Sequence, residues 1–121
     1  MKRILIIDDE REFCGSLKEW LEAENYEVAV AYDGKAGLER ARKEKPGLIL
    51  LDILMPQASG LEVLTQLRVH PETSCLPVVM LTAKSETIFI LASQELKAND
   101  YLIKPFKLEE LLKLIGKYFP D

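Results

Sequence analysis

Asp8-Asp9, Asp52, Thr82 and Lys104 are the residues of this chain whose types could do chemistry together. Carboxylates, a hydroxyl and an ammonium are the parts of a site that handles a phosphoryl group. A carboxylate can attack or hold a cation, and the other two can hold oxygens. Each alone has a plain reading: an acid pair in a solvated turn, an Asp as a helix N-cap, a Lys on the surface. The set gains weight because each member follows a short apolar run. Ile4–Ile7 precedes Asp8, Leu48–Leu51 precedes Asp52, Pro77–Leu81 precedes Thr82, and Tyr101–Ile103 precedes Lys104.

Those runs must position the residues, so their setting matters. Ile4–Ile7 reads as a strand buried on both faces. Phe13, Leu17, Trp20 and Leu21 then stand at i, i+4, i+7 and i+8, one stripe of an amphipathic helix, with Asn25 as a left-handed stop. Val28, Val30 and Tyr32 predict a second strand, and Asp33-Gly34 a turn. A helix with Leu38 and Ala41 inside runs to about Lys45, where Pro46-Gly47 breaks it. Beyond the third strand, Pro56 and Gly60 punctuate a loop, and Leu61, Val63, Leu64 and Leu67 mark a third helix. A fourth helix spans about Ser85 to Leu96, and Leu108, Leu111, Leu112, Ile115 and Phe119 stripe a last one. Five strand–helix units in strict alternation predict an α/β, doubly wound, five-stranded parallel sheet with helices on both faces. All strands then point one way, and polar groups distant in sequence converge at their carboxyl ends, where such folds bind ligands.

The cluster so formed is electrostatically uneasy. Two carboxylates about 5 Å apart repel by roughly 3 kcal/mol at an effective dielectric near 20. Either a pKa rises or a cation binds. No His stands near these residues in sequence, which disfavours a soft metal; few carboxylates with retained waters suit Mg²⁺ better than Ca²⁺. The residues read bottom-up as Mg²⁺-assisted phosphoryl transfer to an aspartate.

Composition bounds the alternatives. The chain has 121 residues, 48% hydrophobic and 30% charged, enough for one domain and one domain's core. Sixteen basic against twenty acidic residues give a formal charge of −4 with no basic run, so direct nucleic-acid binding by this chain is not expected. Cys14 and Cys75 make neither a disulfide framework nor a zinc site, and both are expected reduced and buried or half-buried. The first apolar run is four residues long, too short for a signal peptide, and no segment reaches the ~18 apolar residues of a membrane span. A cytoplasmic protein is expected.

With Ile6-Ile7-Asp8-Asp9-Glu10, Leu51-Asp52-Ile53-Leu54-Met55-Pro56 with Gly60, Val79-Met80-Leu81-Thr82-Ala83 and Asp100-Tyr101-Leu102-Ile103-Lys104-Pro105-Phe106, the chain resembles the receiver domain of bacterial two-component response regulators, of the chemotaxis-regulator kind. The likeness runs from Ile4 to about Phe119, so residues 1–121 are expected to form one receiver domain with no output domain, either a stand-alone regulator or a piece of a longer protein. It implies a flavodoxin-like (βα)5 fold with strand order 2-1-3-4-5. It implies that Asp52 accepts phosphate from a sensor histidine kinase or phosphotransfer protein. Asp9, Asp52 and the Leu54 backbone carbonyl would bind Mg²⁺ (or Mn²⁺ in its place), with Asp8 acting mainly through a metal-bound water. Lys104 would pair with the phosphoryl group, Thr82 would swing in to it, and Tyr101 would rotate inward behind it. Pro105 would follow a cis bond. The face of the fourth helix, fifth strand and last helix would be read by a downstream protein target or fused output domain, or would form a homodimer. The module would catalyse only its own phosphorylation and dephosphorylation.

Several positions depart from that family or fall outside it. Lys97 stands where a Gly is usual, at about 1 kcal/mol if the backbone is left-handed. Ile88, Leu91, Ala92 and Leu96 form the core stripe of the fourth helix; Phe89 and Ile90 lie off it and could tuck under a loop or form an association patch. Leu54 and Lys84, two residues after Asp52 and Thr82, flank the path of attacking water, which apolar Leu54 is expected to crowd. His70 reads as surface or cap, Trp20 as core, Met55 and Met80 as packing. A haloacid-dehalogenase-type phosphohydrolase would use Asp8 as nucleophile, but needs Asp-x-Asp and a cap that this length leaves no room for. A flavin or nucleotide module would want a Gly- or Ser/Thr-rich loop where Asp8-Asp9-Glu10-Arg11-Glu12 stands. A disabled pseudo-receiver would lack part of the site set, and none is missing.

Overall fold

The computed structural model describes residues 2–55, 59–83 and 88–120. Strands and helices alternate as β1 (Arg3–Ile7), α1 (Arg11–Ala23), β2 (Glu27–Ala31), α2 (Gly34–Glu44), β3 (Leu48–Asp52), α3 (Gly60–Val69), β4 (Val78–Ala83), α4 (Ile88–Glu95), β5 (Asp100–Lys104) and α5 (Leu108–Gly116). All neighbouring strands pair in parallel, in the order β2-β1-β3-β4-β5. The doubly wound fold and its strand order are as expected. Strand ends differ by one or two residues: Tyr32 lies just past β2, while β4 and β5 extend through Ala83 and Lys104.

The central strands are buried on both faces because helices cover both. On one side Ile4, Ile6, Leu48, Leu50, Val79 and Leu81 meet Cys14, Leu17 and Leu21 of α1 and Leu111, Leu114 and Ile115 of α5. On the other, Leu5, Ile7, Ile49, Leu51, Val78 and Met80 meet Ala41 of α2 and Val63, Leu64 and Leu67 of α3. The sheet thus splits the core into two layers, and each fully buried Leu or Ile contributes about 1.5–3 kcal/mol. The inner side of α2 is built from Gly34, Gly37 and Ala41, with Leu38 only partly buried. A Cβ on Gly37 would stand 2.6 Å from Ile7 Cδ1, so α2 lies close on β1. Met80 is fully buried and Met55 packs on the second layer, both as packing residues.

Helix ends follow local chemistry. Asp33 caps α2 by accepting from Ala36 N at 2.8 Å, and Ser59 caps α3 by accepting from Glu62 N at 3.3 Å. His70 is the C-cap residue of α3. Asn25 (φ 69°) takes the expected left-handed conformation; Lys97 (φ 67°) is left-handed too, which is the condition under which a lysine there is strained, and Lys45 (φ 44°) joins them at the end of α2. The Lys104–Pro105 peptide is cis.

Three expectations need correction. Trp20 is not core; it is 46% exposed. The buried stripe of α1 is Cys14, Leu17 and Leu21, and Trp20 lies roughly a quarter turn to its flank. Cys75 is exposed, because it sits in the turn between α3 and β4; Cys14 is buried as expected. Phe119 lies past the end of α5 rather than on it, and its ring packs 5.3 Å from that of Tyr26. In α4 the buried polar residue Ser93, which the apolar stripe omits, donates to the Ile90 carbonyl at 2.8 Å. Ile90 is half-buried, while the expectations for Pro56, for Lys84 to Thr87 and for the side chains of Ile88, Phe89 and Leu91 lie outside the described residues.

Candidate functional site

Register brings the site together. Ile7 pairs with Leu51, so one step further along each strand Asp8 comes alongside Asp52. Asp52 pairs with Leu81, which puts Thr82 one residue beyond it on β4. Ala83 pairs with Lys104, the last residue of β5. The four chain segments therefore deliver their polar ends to one rim. A Cβ on Gly60 would overlap the Asp52 carbonyl oxygen, so a glycine is required where α3 begins against the end of β3.

Lys104 holds the centre. Its Nζ donates to Asp8 Oδ2 at 2.8 Å and to Glu10 Oε1 at 3.2 Å, and lies 3.6 Å from Asp52 Oδ1. Asp8 is fully buried and also accepts from Glu10 N at 3.0 Å. Asp52 is buried too. Asp9 is half-buried and stays close enough to act on Asp52 through its charge. Thr82 is buried, with its hydroxyl donating to the Ala83 carbonyl at 3.2 Å. Leu54 (46%) is exposed two residues past Asp52, and Tyr101 (38%) is exposed on β5, three residues before Lys104.

Charge and burial oppose each other here. Burial, then the neighbouring Asp8 charge, pushes the Asp52 carboxyl up to about 7 against the pull of Lys104. Burial also raises Asp8, despite the hydrogen bond from Lys104. Burial would lower Lys104, but the Asp8 hydrogen bond and the Asp8 and Asp52 charges outweigh it, and the net direction is up. One lysine among three acids leaves excess negative charge in a low-dielectric pocket, which a divalent cation would offset.

The donor set fits Mg²⁺. One oxygen each from Asp8, Glu10 and Asp52 lies within 4.8 Å of the others. These are hard ligands. The nearby Cys14 thiol donates to the Asp8 carbonyl at 3.4 Å, and burial pushes it up to about 12, so it offers no thiolate to a softer metal.

Glu10 is the member that sequence reasoning left out of the site. It occupies the N-cap position of α1 yet makes no side-chain cap there, because its carboxylate turns to Lys104. The signal was its place directly after the acid pair. A cleft of about 460 Å³ opens beside it, lined by Glu10, Phe13, Trp20, Lys104, Pro105 and Phe106.

Comparison with known proteins agrees with this geometry. The model of the response regulator receiver domain matches residues 4–116. The chain belongs to the response regulator receiver domain family. Receiver domains similar to it stand in longer proteins. It is 44% identical over 115 residues to the response regulator ArlR of Staphylococcus saprophyticus, covering 95% of this chain and 51% of that protein. ArlR of Staphylococcus epidermidis is 41% identical over the same length, again covering 51% of the relative. The chain thus spans about half the length of these curated relatives. Among solved structures, the chemotaxis protein CheY4 of Vibrio cholerae superposes with a TM-score of 0.91 at 29% identity, covering 98% of each chain. A CheY-like receiver domain protein of Methanospirillum hungatei gives 0.88 at 32% identity, covering 97% of this chain and 92% of that one. As a receiver domain the chain is a two-component signalling module, and its acidic pocket is of a kind compatible with Mg²⁺.

Proposed function

We propose that this receiver domain accepts a phosphoryl group on Asp52 from a sensor histidine kinase or phosphotransfer protein, with Mg²⁺ bound beside it (Mn²⁺ can substitute). The observation that carries this reading is the setting of Asp52: a buried carboxylate at the end of β3, 3.6 Å from the Lys104 ammonium and grouped with Asp8. Asp8, Asp9, Asp52 and the Leu54 backbone carbonyl are the proposed metal-binding groups, with Glu10 near enough to join them. Bound Mg²⁺ would supply positive charge that keeps the carboxylates ionised and offsets charge on the phosphoryl oxygens.

The transfer balances simply. An Asp52 carboxylate oxygen attacks phosphorus as the P–N bond of the donor phosphohistidine breaks. The imidazole nitrogen leaves with the bonding pair, and the ring departs as neutral imidazole because its other nitrogen already carries a proton or the leaving nitrogen takes one from solvent. Lys104 meets one phosphoryl oxygen by giving up part of its contact with Asp8 or Glu10. Thr82 meets another by turning its hydroxyl away from the Ala83 carbonyl.

That exchange is the switch. Phosphorylation adds charge and strong acceptors at Asp52, and Thr82 and Lys104 gain partners only in the modified state. Couplings of this type are typically about 1–3 kcal/mol, enough to shift a two-state population. Tyr101, exposed on β5, then rotates inward, and the α4–β5–α5 face changes for a downstream protein, a fused output domain or a second copy. The proposed setting is the cytoplasm; among the described residues no helix is long and apolar enough to cross a membrane.

Incubation with Mg²⁺ and acetyl phosphate, followed by mass analysis of the modified residue, tests the reading. A phosphoryl mass gain on Asp52 that is lost in Asp52→Asn is expected. No gain, or one that survives that substitution, overturns it.

A further inference from the structure

The Lys104 ammonium has a neighbour that the acids do not account for. Its Nζ lies 4.2 Å from the centroid of the Phe13 ring while it donates to Asp8 and Glu10. A cation within about 6 Å of an aromatic centroid is attracted by the ring quadrupole, more strongly where water is partly excluded. The lysine side chain here is only 16% exposed.

The ring is itself held. Phe13 meets Phe106 edge to face, with centroids 6.1 Å apart and planes at 80°. Both rings pack against the layer under α1 and α5. Phe13 stands on the flank of α1 that also carries Trp20, away from the buried stripe of Cys14, Leu17 and Leu21. Filling space there would be served equally by Leu. What Leu cannot do is offer a π face to a cation. A lysine ammonium is a point charge on a flexible stem, so it needs something other than its own geometry to stay in place.

We propose that Phe13 is a positioning residue for Lys104: its ring, braced by Phe106, keeps the ammonium at the rim of the acid cluster, within reach of an oxygen arriving at Asp52. This rests on the reading of Lys104 as a phosphoryl-binding group. The acids pull the ammonium toward Asp8 and Glu10; the ring limits its excursions to solvent without adding a competing hydrogen bond. When a phosphoryl group arrives, Lys104 can change oxygen partners and keep the ring.

The test compares ring-lacking Phe13→Leu with ring-retaining Phe13→Tyr, and adds Phe106→Leu, which removes only the brace. Two readouts are taken on each folded protein: NMR shifts of the Lys104 Cε methylene, and the rate at which acetyl phosphate with saturating Mg²⁺ modifies Asp52. The native protein and Phe13→Tyr should show upfield ring-current shifts, which Phe13→Leu loses and Phe106→Leu weakens. Phe13→Leu should be modified about three- to tenfold more slowly, with Phe13→Tyr within about twofold of native. Equal slowing in Leu and Tyr variants, or a native-like rate in Phe13→Leu, overturns the proposal. Failure of the native protein to be modified at Asp52 defeats the functional reading instead. The methylene shift then decides the ring contact alone: its presence supports that contact, and its absence in the native protein overturns it.

Discussion

Lys104 Nζ stands 2.8 Å from Asp8 Oδ2 and 3.6 Å from Asp52 Oδ1, so the cation is bonded to the acid ending β1 and merely adjacent to the acid ending β3. Asp8 is wholly buried, and the lysine largely so. Removing one partner of such a pair leaves an uncompensated buried charge, at about 3–5 kcal/mol. Lys104→Met is therefore expected to lower stability to urea by about 3 kcal/mol, less than the upper figure because solvent reaches the lysine end. Mg²⁺ should restore much of that loss, since it can neutralise the same carboxylates. Equal urea midpoints for native and variant without Mg²⁺ would contradict the pairing.

The raised Asp52 carboxyl has a consequence for stability against pH. Its folded value, about 7, lies above the ordinary 3.8, so between those values the folded state holds more protons than the unfolded one. Stability therefore falls as pH rises from about 4 to about 7, and the penalty is fully present above that. Asp8 is shifted in the same direction and adds to the slope. Asp52→Asn cannot ionise, so the difference in melting temperature between it and the native protein should widen from pH 5 to pH 8 in the absence of Mg²⁺. Saturating Mg²⁺ should narrow that difference at pH 8. A gap independent of pH would show that Asp52 titrates normally.

At the far end of α4, Lys97 and Arg68 form a second junction. Arg68 donates to the Lys97 carbonyl from Nε at 3.0 Å and Nη2 at 2.9 Å, to the Leu76 carbonyl at 2.9 Å, to the Ser74 carbonyl at 3.3 Å and to Asn99 Oδ1 at 3.0 Å. Arg68→Met should cost about 2–4 kcal/mol in denaturant unfolding, because several acceptors lose a charged donor at once. Lys97→Gly should act the opposite way. It relieves a left-handed lysine, worth about 1–2 kcal/mol, against a glycine entropy cost of about 0.5–1 kcal/mol, while the backbone acceptor of Arg68 is retained. A net gain of about 0.5–1 kcal/mol is expected. A loss would show that the lysine side chain contributes there.

Leu54 is nearly half exposed, two residues beyond Asp52. Its apolar side chain cannot orient water toward a phosphoryl group and can obstruct it. Leu54→Asn is expected to shorten the lifetime of phosphorylated Asp52 several-fold, followed by loss of the phosphoryl mass after the donor is removed. Equal lifetimes would assign Leu54 no part in protecting the acyl phosphate.

The layout of the fold was legible because its determinants are local. Ile4–Ile7, Leu48–Leu51 and Val78–Leu81 are continuous apolar runs that each end at a polar residue, the pattern of a strand covered on both faces. Alternation with amphipathic helices then left one architecture, and the position of Asp8, Asp52, Thr82 and Lys104 after those runs placed them on one rim. Asn25 could likewise be assigned a left-handed backbone from where α1 had to stop.

Tertiary structure alone decided which flank of a stripe faces solvent and which partner a long side chain selects. Trp20 matches helical spacing as well as Leu21 does, yet α1 meets the sheet along Cys14, Leu17 and Leu21, and the larger ring is left at the cleft. Glu10 could have capped α1, but Lys104, 94 residues away, offered a stronger partner. Local sequence sets periodicity and backbone preference over a few residues; the competition among distant charges and rings is settled only when the strands bring them within a few ångströms of one another.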